Sequence, residues 1–271
     1  MRAVAAGLTD VGRKRDHNED RFVLLPEFGV FMVADGMGGH QCGEVASRMA
    51  TATVAGYLRA RRAGAKTDGA IPDILRSALV EANEHIYHRG MRSYGHRGMG
   101  TTVVAAAYNR DERVLSVAHA GDSRCYRMRA SQLSQITRDH SLVEEALRTR
   151  PDISATDLSF LPSNVITRAL GVEPTVEIDL VDEQVELGDV YLLCTDGLHG
   201  FVGEDRIGEI LRTVPVLTDA CGQLIGSANE NGGGDNITVV LVRFEAAEDP
   251  WARPTSVPPP PMGPRSVRWK A

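Results

Sequence analysis

Seven short apolar runs constrain this chain more than any other feature: RFVLL (21–25), GVFMVA (29–34), TTVVAAAY (101–108), RVLSVAHA (113–120), SRCYRM (123–128), DVYLLCT (189–195) and NITVVLVRF (236–244). Most end at Gly, Asp or Asn, and runs of this length and composition behave as β-strands. Two periodic segments separate the second run from the third. Residues 43–63 carry Val45, Met49, Ala52 and Gly56 on one helical face, and residues 72–89 carry Leu75, Ala78, Leu79, Ala82 and Ile86 on another. Pro72 suits the first turn of the second helix. Further helices are expected at 204–212 and 217–229. Strands, two helices, many strands, then helices before a last strand do not alternate strictly as βαβ. The expected class is α+β, a sandwich rather than a doubly wound parallel sheet.

Residues 1–245 read as one domain. Within it, 140–164 is less regular, with one short helix (SLVEEALRTR) and then polar linker, and is expected to form a movable flap. Residues 246–271 are a tail. Seven of the thirteen prolines and no acidic residue fall in 250–271, so polyproline II or disorder is expected, with a proline-recognition partner as one use. The formal net charge of -6 gives no phosphate-backbone footprint, so nucleic acid is an unfavoured ligand. No apolar run reaches the roughly 18–20 residues of a membrane span, and the start lacks a signal-peptide pattern. Cys42, Cys125, Cys194 and Cys221 show no CxxC pairing and read as free, mostly buried thiols of a cytoplasmic protein.

Three carboxylates stand at strand ends. Asp35 closes GVFMVAD, Asp196 closes VYLLCTD, and Asp235 opens DNITVVLV. The end of one antiparallel strand and the start of its neighbour share a rim, so the three can converge. Converging carboxylates repel unless protons or cations intervene, and Mg²⁺ or Mn²⁺ prefer such oxygen ligands. Taken singly, each Asp-Gly or Gly-Asp pair also suits a plain turn. Two segments add context. In Arg15–Asp20, Glu19 and Asp20 could hold metal-bound waters while Arg15 grips a phosphate in fork geometry. In Asp35–His40, the glycines let a carbonyl approach a metal, and His40 is a candidate proton donor.

The ordered set R-x-x-N-E-D, D-G-M-G-G-H, G-M-G-T-T, G-D-S-R, D-H-S, T-R-A-L-G, T-D-G-L and G-D-N closely resembles the bacterial branch of the PPM family, the type-2C protein phosphatases. Each motif is weak alone; eight in order over some 220 residues are specific, and they cover nearly all of 1–245. The resemblance implies a four-layer α-β-β-α sandwich, with a central β-sandwich flanked by antiparallel helix pairs and a centre of two Mn²⁺ or Mg²⁺ ions at one end. It implies that Asp35 bridges the ions, that the Gly36 carbonyl ligates one, and that Asp196 and Asp235 complete the pair. Asp20 and Glu19 would act largely through water. Asp122 matches a position that helps hold a weaker third ion, and Asn236 would support Asp235, with Asn18 beside it in the first motif. His199-Gly200 stands where many relatives carry Ser or Thr and then an acid, which puts the third-ion site in question.

The implied reaction is in-line attack of an activated water on phosphoserine or phosphothreonine, with Arg15 on the phosphoryl group and His40 protonating the leaving oxygen. The expected partners are phosphorylated proteins, substrates of Ser/Thr kinases, met by a monomer. Two alternatives remain at this point: a catalytically inactive relative used as a binding or scaffold module, and a hydrolase of small phosphoesters.

Overall fold

The structure is a computed structural model that describes residues 1–38, 42–63, 70–92, 94–162 and 165–247. His40 and all of the tail beyond residue 247 lie outside the described residues, as does the end of the expected flap segment at 163–164.

The chain opens with strands β1 (Arg2–Asp10), β2 (Asp20–Leu25) and β3 (Val30–Met37), followed by helices α1 (Cys42–Ala63) and α2 (Ile71–Arg92). Strands β4 (Gly100–Thr101), β5 (Val103–Asn109), β6 (Val114–Ala120), β7 (Arg124–Arg129) and β8 (Gln132–Gln135) come next. Short helices α3 (Leu142–Thr149) and α4 (Ala155–Ser159) lead to strands β9 (Asp179–Gln184) and β10 (Val190–Cys194). Helices α5 (Asp196–His199), α6 (Glu204–Thr213) and α7 (Leu217–Glu230) precede the last strand, β11 (Ile237–Glu245).

Two antiparallel sheets result, one ordered β1-β11-β10-β7-β8 and the other β2-β3-β5-β6-β9, with β4 added beside β3. The central strands are buried on both faces, which is why their sequences are apolar without alternation. In β3, Phe31 and Val33 face the other sheet, where they join Val104, Tyr191, Val240 and Phe244. Met32 and Ala34 of the same strand face outward onto α1 and α2. In β10, Tyr191 and Leu193 point inward while Leu192 and Cys194 pack with α6 and α7. Three apolar layers therefore separate four structural layers, the α-β-β-α sandwich. Burying each of these large side chains contributes about 1.5–3 kcal/mol.

The expected face of α2 is the buried one, with Leu75, Ala78, Leu79, Ala82 and Ile86 all inside. That of α1 is corrected. Its buried stripe is Cys42, Ala46, Ala50, Val54 and Leu58, whereas Val45 and Met49 pack at the flank and Ala52 and Gly56 are exposed. The sheet selects the small residues because the start of α1 sits in backbone contact with β3. A Cβ on Gly43 would lie 2.6 Å from the Gly36 carbonyl. Three strands, β1, β8 and β9, have no counterpart among the seven runs. RAVAAGLTD (β1) is rich in small residues and has no aromatic one, QLSQ (β8) is polar and DLVDEQ (β9) is acidic, yet each is an edge strand held by its ladder to β11, β7 or β6. Charge on an edge strand discourages pairing with another molecule.

The four cysteines are buried and free. The segment after β8 contains α3, capped by Ser141, and also α4, capped by Ser154 within the stretch expected as polar linker.

Candidate metal centre

The carboxylates gather at one end of the sandwich. Asp20 and Asp35 are direct cross-strand partners in the β2–β3 ladder. Asp196 follows β10 and Asp235 precedes β11, which are antiparallel neighbours in the other sheet, so all four reach the same end of the two sheets. Arg15, Glu19, Asp35, Gly36, Asp122, Asp196, Asp235 and Asn236 line a single cleft of about 280 Å³. Asp20 lies sealed behind it at 0% exposure.

Like charges opposed across a ladder are destabilising, and these are also desolvated. Burial pushes the Asp20 carboxyl up to about 7, against hydrogen bonds from Thr195 and Thr238. Asp35 is held well above the carboxylate range by burial and then by Asp20 and Asp196. Asp196 is raised by burial and then by Asp235, and Asp122 is pushed up to about 6 by burial and by Asp196. Oδ1 of Asp20 and Oδ1 of Asp196 are buried without a hydrogen-bond partner. Buried, acceptor-only oxygens lacking donors, set among carboxylates that resist joint ionisation, fit hard divalent cations.

The remaining motif residues build the frame. The Thr101 hydroxyl and the Thr102 amide both donate to the Asp35 carbonyl at 2.8 Å, and Thr102 Oγ1 meets Ser123 Oγ at 2.7 Å. Thr195 Oγ1 donates to Asp20 Oδ2 at 2.8 Å and accepts from the Thr238 amide at 3.0 Å. Asn236 governs the loop between β1 and β2. Its Oδ1 accepts from the Glu19 amide at 2.8 Å, and its Nδ2 donates to the carbonyls of Val11 and His17, each at 2.9 Å. Asn18 donates to Thr9 and accepts from the Asp20 amide. That loop carries Arg15, whose Nη2 donates to Asp235 Oδ2 at 2.7 Å. Arg124 grips Asp139 with two nitrogens, joining the fourth and fifth motifs.

Sequence reasoning left Thr101, Thr102, Ser123, Thr195 and Gly43 without roles, although four of them stand inside the quoted motifs. Their function is to hold backbone, which residue type alone does not announce. The His199 departure also gains a place. Its Nε2 donates to the Asp122 carbonyl at 3.1 Å, and burial lowers the ring to about 4, so it stays neutral. The imidazole ties Asp122 to α5.

His119, His140 and Asp179 form a second group, with potential ligand atoms within 4.8 Å of one another. The two rings stack at 4.7 Å and 8°, so their in-plane lone pairs do not meet at a common point. The Arg168 guanidinium lies 3.3 Å from His140 Nε2 and pairs with Asp179. This group is a hydrogen-bonded support for the segment that leads into α3.

Known proteins share this architecture. The family model described as protein phosphatase 2C matches residues 12–230. A serine/threonine phosphatase stp of Listeria monocytogenes is 41% identical over 244 residues, spanning 89% of this chain and 95% of that protein. Protein phosphatase PhpP of Streptococcus pneumoniae is 33% identical over 239 residues, spanning 87% of this chain and 95% of its own. Among solved structures, the Mycobacterium tuberculosis serine/threonine phosphatase PstP/Ppp superposes with a TM-score of 0.80 at 33% identity, covering 91% of this chain and 100% of that one. The catalytic domain of PstP in complex with two manganese ions gives 0.78 at 32% identity, covering 90% and 99%. With the fold, the aspartate cleft and these similarities together, the chain belongs to the protein phosphatase 2C (PPM) family.

Proposed function

We propose that this chain hydrolyses phosphoserine and phosphothreonine in proteins, with water activated at a centre of two Mn²⁺ or Mg²⁺ ions, and so reverses Ser/Thr kinase signalling. The observation that carries it is the convergence of Asp35, Asp196 and Asp235 on one cleft, with buried carboxylate oxygens that lack donors. Asp35, Asp196, Asp235 and the Gly36 carbonyl would hold the ions, Glu19 and Asp20 would orient waters, and Asp122 would serve a weaker third ion. When bound, the ions supply Lewis acidity and a water of lowered pKa.

The chain's own residues do the rest. Arg15 sits at the mouth of the cleft, half exposed and paired with Asp235, so its guanidinium can turn to an incoming phosphoryl group without crossing a barrier of burial. Its fork geometry suits two phosphoryl oxygens. Asn236 and Asn18 fix the loop that aims it. His40 is the proposed donor to the leaving oxygen. Cys125 and Cys194 are not suited to attack phosphorus, because burial raises their thiols far above neutrality. The described residues contain no helix long and apolar enough to cross a membrane. We further propose a cytoplasmic monomer with residues 1–245 as the catalytic domain.

The test is phosphate release from a phosphothreonine peptide. Wild type is expected to act with Mn²⁺ and to stop with chelator, and Asp35→Asn to lose about 10³-fold or more in kcat while keeping its fold by circular dichroism. Full activity in that variant would sink the two-ion reading, and loss of fold would be checked with Asp235→Asn.

A further inference from the structure

Next to the metal cleft lies a second recess of about 220 Å³. Met37 and Ile166 line both, so the two adjoin. Met37, Ile166, Ala169, Val172 and Val176 make its apolar wall, and Thr167, Arg168, Glu173, Thr175 and Glu177 complete the lining. Val172 is 42% exposed, although it belongs to a fixed turn rather than a loose loop.

The fixation is visible in three hydrogen bonds. Asn83 of α2, 1% exposed, accepts from the Gly171 amide at 2.7 Å and donates to the carbonyls of Glu173 and Pro174 at 3.2 Å each. Gly171 has φ +86°, and a Cβ there would meet Ile86 Cγ2 at 2.1 Å, so the turn is pressed onto α2. Across from it, Met37 and Val172 close over Gly100, where a Cβ would lie 2.7 and 2.8 Å from their methyl groups. A buried asparagine and two glycines thus present a solvent-facing valine beside the cleft. Such a preorganised apolar wall binds without paying for its own ordering.

We infer that this recess receives an aliphatic side chain of the phosphoprotein substrate, from a residue within two positions of the phosphorylated one. The inference rests on the phosphoprotein reading above. Successive Cα atoms of an extended peptide are about 3.8 Å apart, so a chain whose phosphorylated residue enters the metal cleft and which runs across Met37 and Ile166 lays a near neighbour in the recess. The lining sets Glu173 and Glu177 against one cation, Arg168, which is already paired with Glu177 and Asp179, so its charge disfavours an acidic residue there.

The experiment uses the full chain with Mn²⁺ and phosphothreonine peptides carrying Leu, Ser or Asp at each position from −2 to +2. Leu at one position is expected to lower KM about tenfold relative to Ser, with Asp poorest. Val172→Asp should erase that gain through KM and leave kcat unchanged. Its hydrolysis of p-nitrophenyl phosphate, too small to reach the recess, should equal wild type. Val172→Ser, a milder change on the surface, should give an intermediate KM. Equal KM for all peptides, or a Leu preference that survives in Val172→Asp, overturns the subsite alone. Turnover of p-nitrophenyl phosphate with no turnover of any peptide overturns the phosphoprotein reading and the subsite with it.

Discussion

At the scale of single residues, the opposed Asp20 and Asp35 make stability without metal depend on pH. Asp20 is shifted from an ordinary 3.8 up to about 7 in the fold, chiefly by burial. A group that binds its proton more tightly when folded contributes stability that is present below its unfolded pKa and lost as pH rises through its folded one. The chelated protein should therefore melt on the order of 5 °C lower at pH 8 than at pH 5. Mn²⁺ should restore more at pH 8, since bound cations replace the missing protons. Asp35→Asn removes one of the facing charges, and its melting curve in chelator should fall less over the same range. A chelated wild type that melts higher at pH 8 would contradict this account. Asp35, Asp196 and Asp235 could be picked from the sequence because each stands at the edge of an apolar run. The threonines that hold Asp35 and Asp20 could not, because a hydroxyl reveals its role only through its partner.

At the scale of elements, the β3–α1 junction depends on backbone approaching backbone. A Cβ on Gly36 would meet the Gly43 carbonyl oxygen at 2.1 Å and the Glu19 carbonyl oxygen at 2.7 Å. Gly43→Ala should destabilise by about 1–3 kcal/mol in urea unfolding and weaken Mn²⁺ binding, because the strand carrying Asp35 must shift. Gly56→Ala, in the same helix with nothing within 4 Å of its Cβ, should instead stabilise by about 0.5–1 kcal/mol. The two signs follow from packing alone. The same fact explains why the buried face of α1 was misread: large residues mark a face for periodicity, whereas this sheet admits Ala46 and Ala50. The edge strands β1, β8 and β9 escape the apolar pattern for a related reason. An edge strand is held by its ladder, so its side chains need not be apolar.

At the scale of the whole molecule, both sheets and both outer helix layers are complete by Glu245. A chain ending at residue 247 should keep kcat/KM for p-nitrophenyl phosphate within about twofold and melt within a few degrees of the full chain. A large loss would assign the last residues to the catalytic domain. The sequence by itself determined the class of fold, the family and the aspartates that line the cleft. Short apolar runs bounded by turn residues bury as central strands, and the eight motifs keep their order. Only the tertiary structure decided which hydroxyls and amides hold the carboxylates, where His199 lands, and that Met37, Ile166 and Val172 form an apolar wall beside the cleft. Residues 20 and 195 meet only when two sheets are packed face to face, and residues 37 and 172 meet only where the turn after Leu170 bridges β4 and docks on α2.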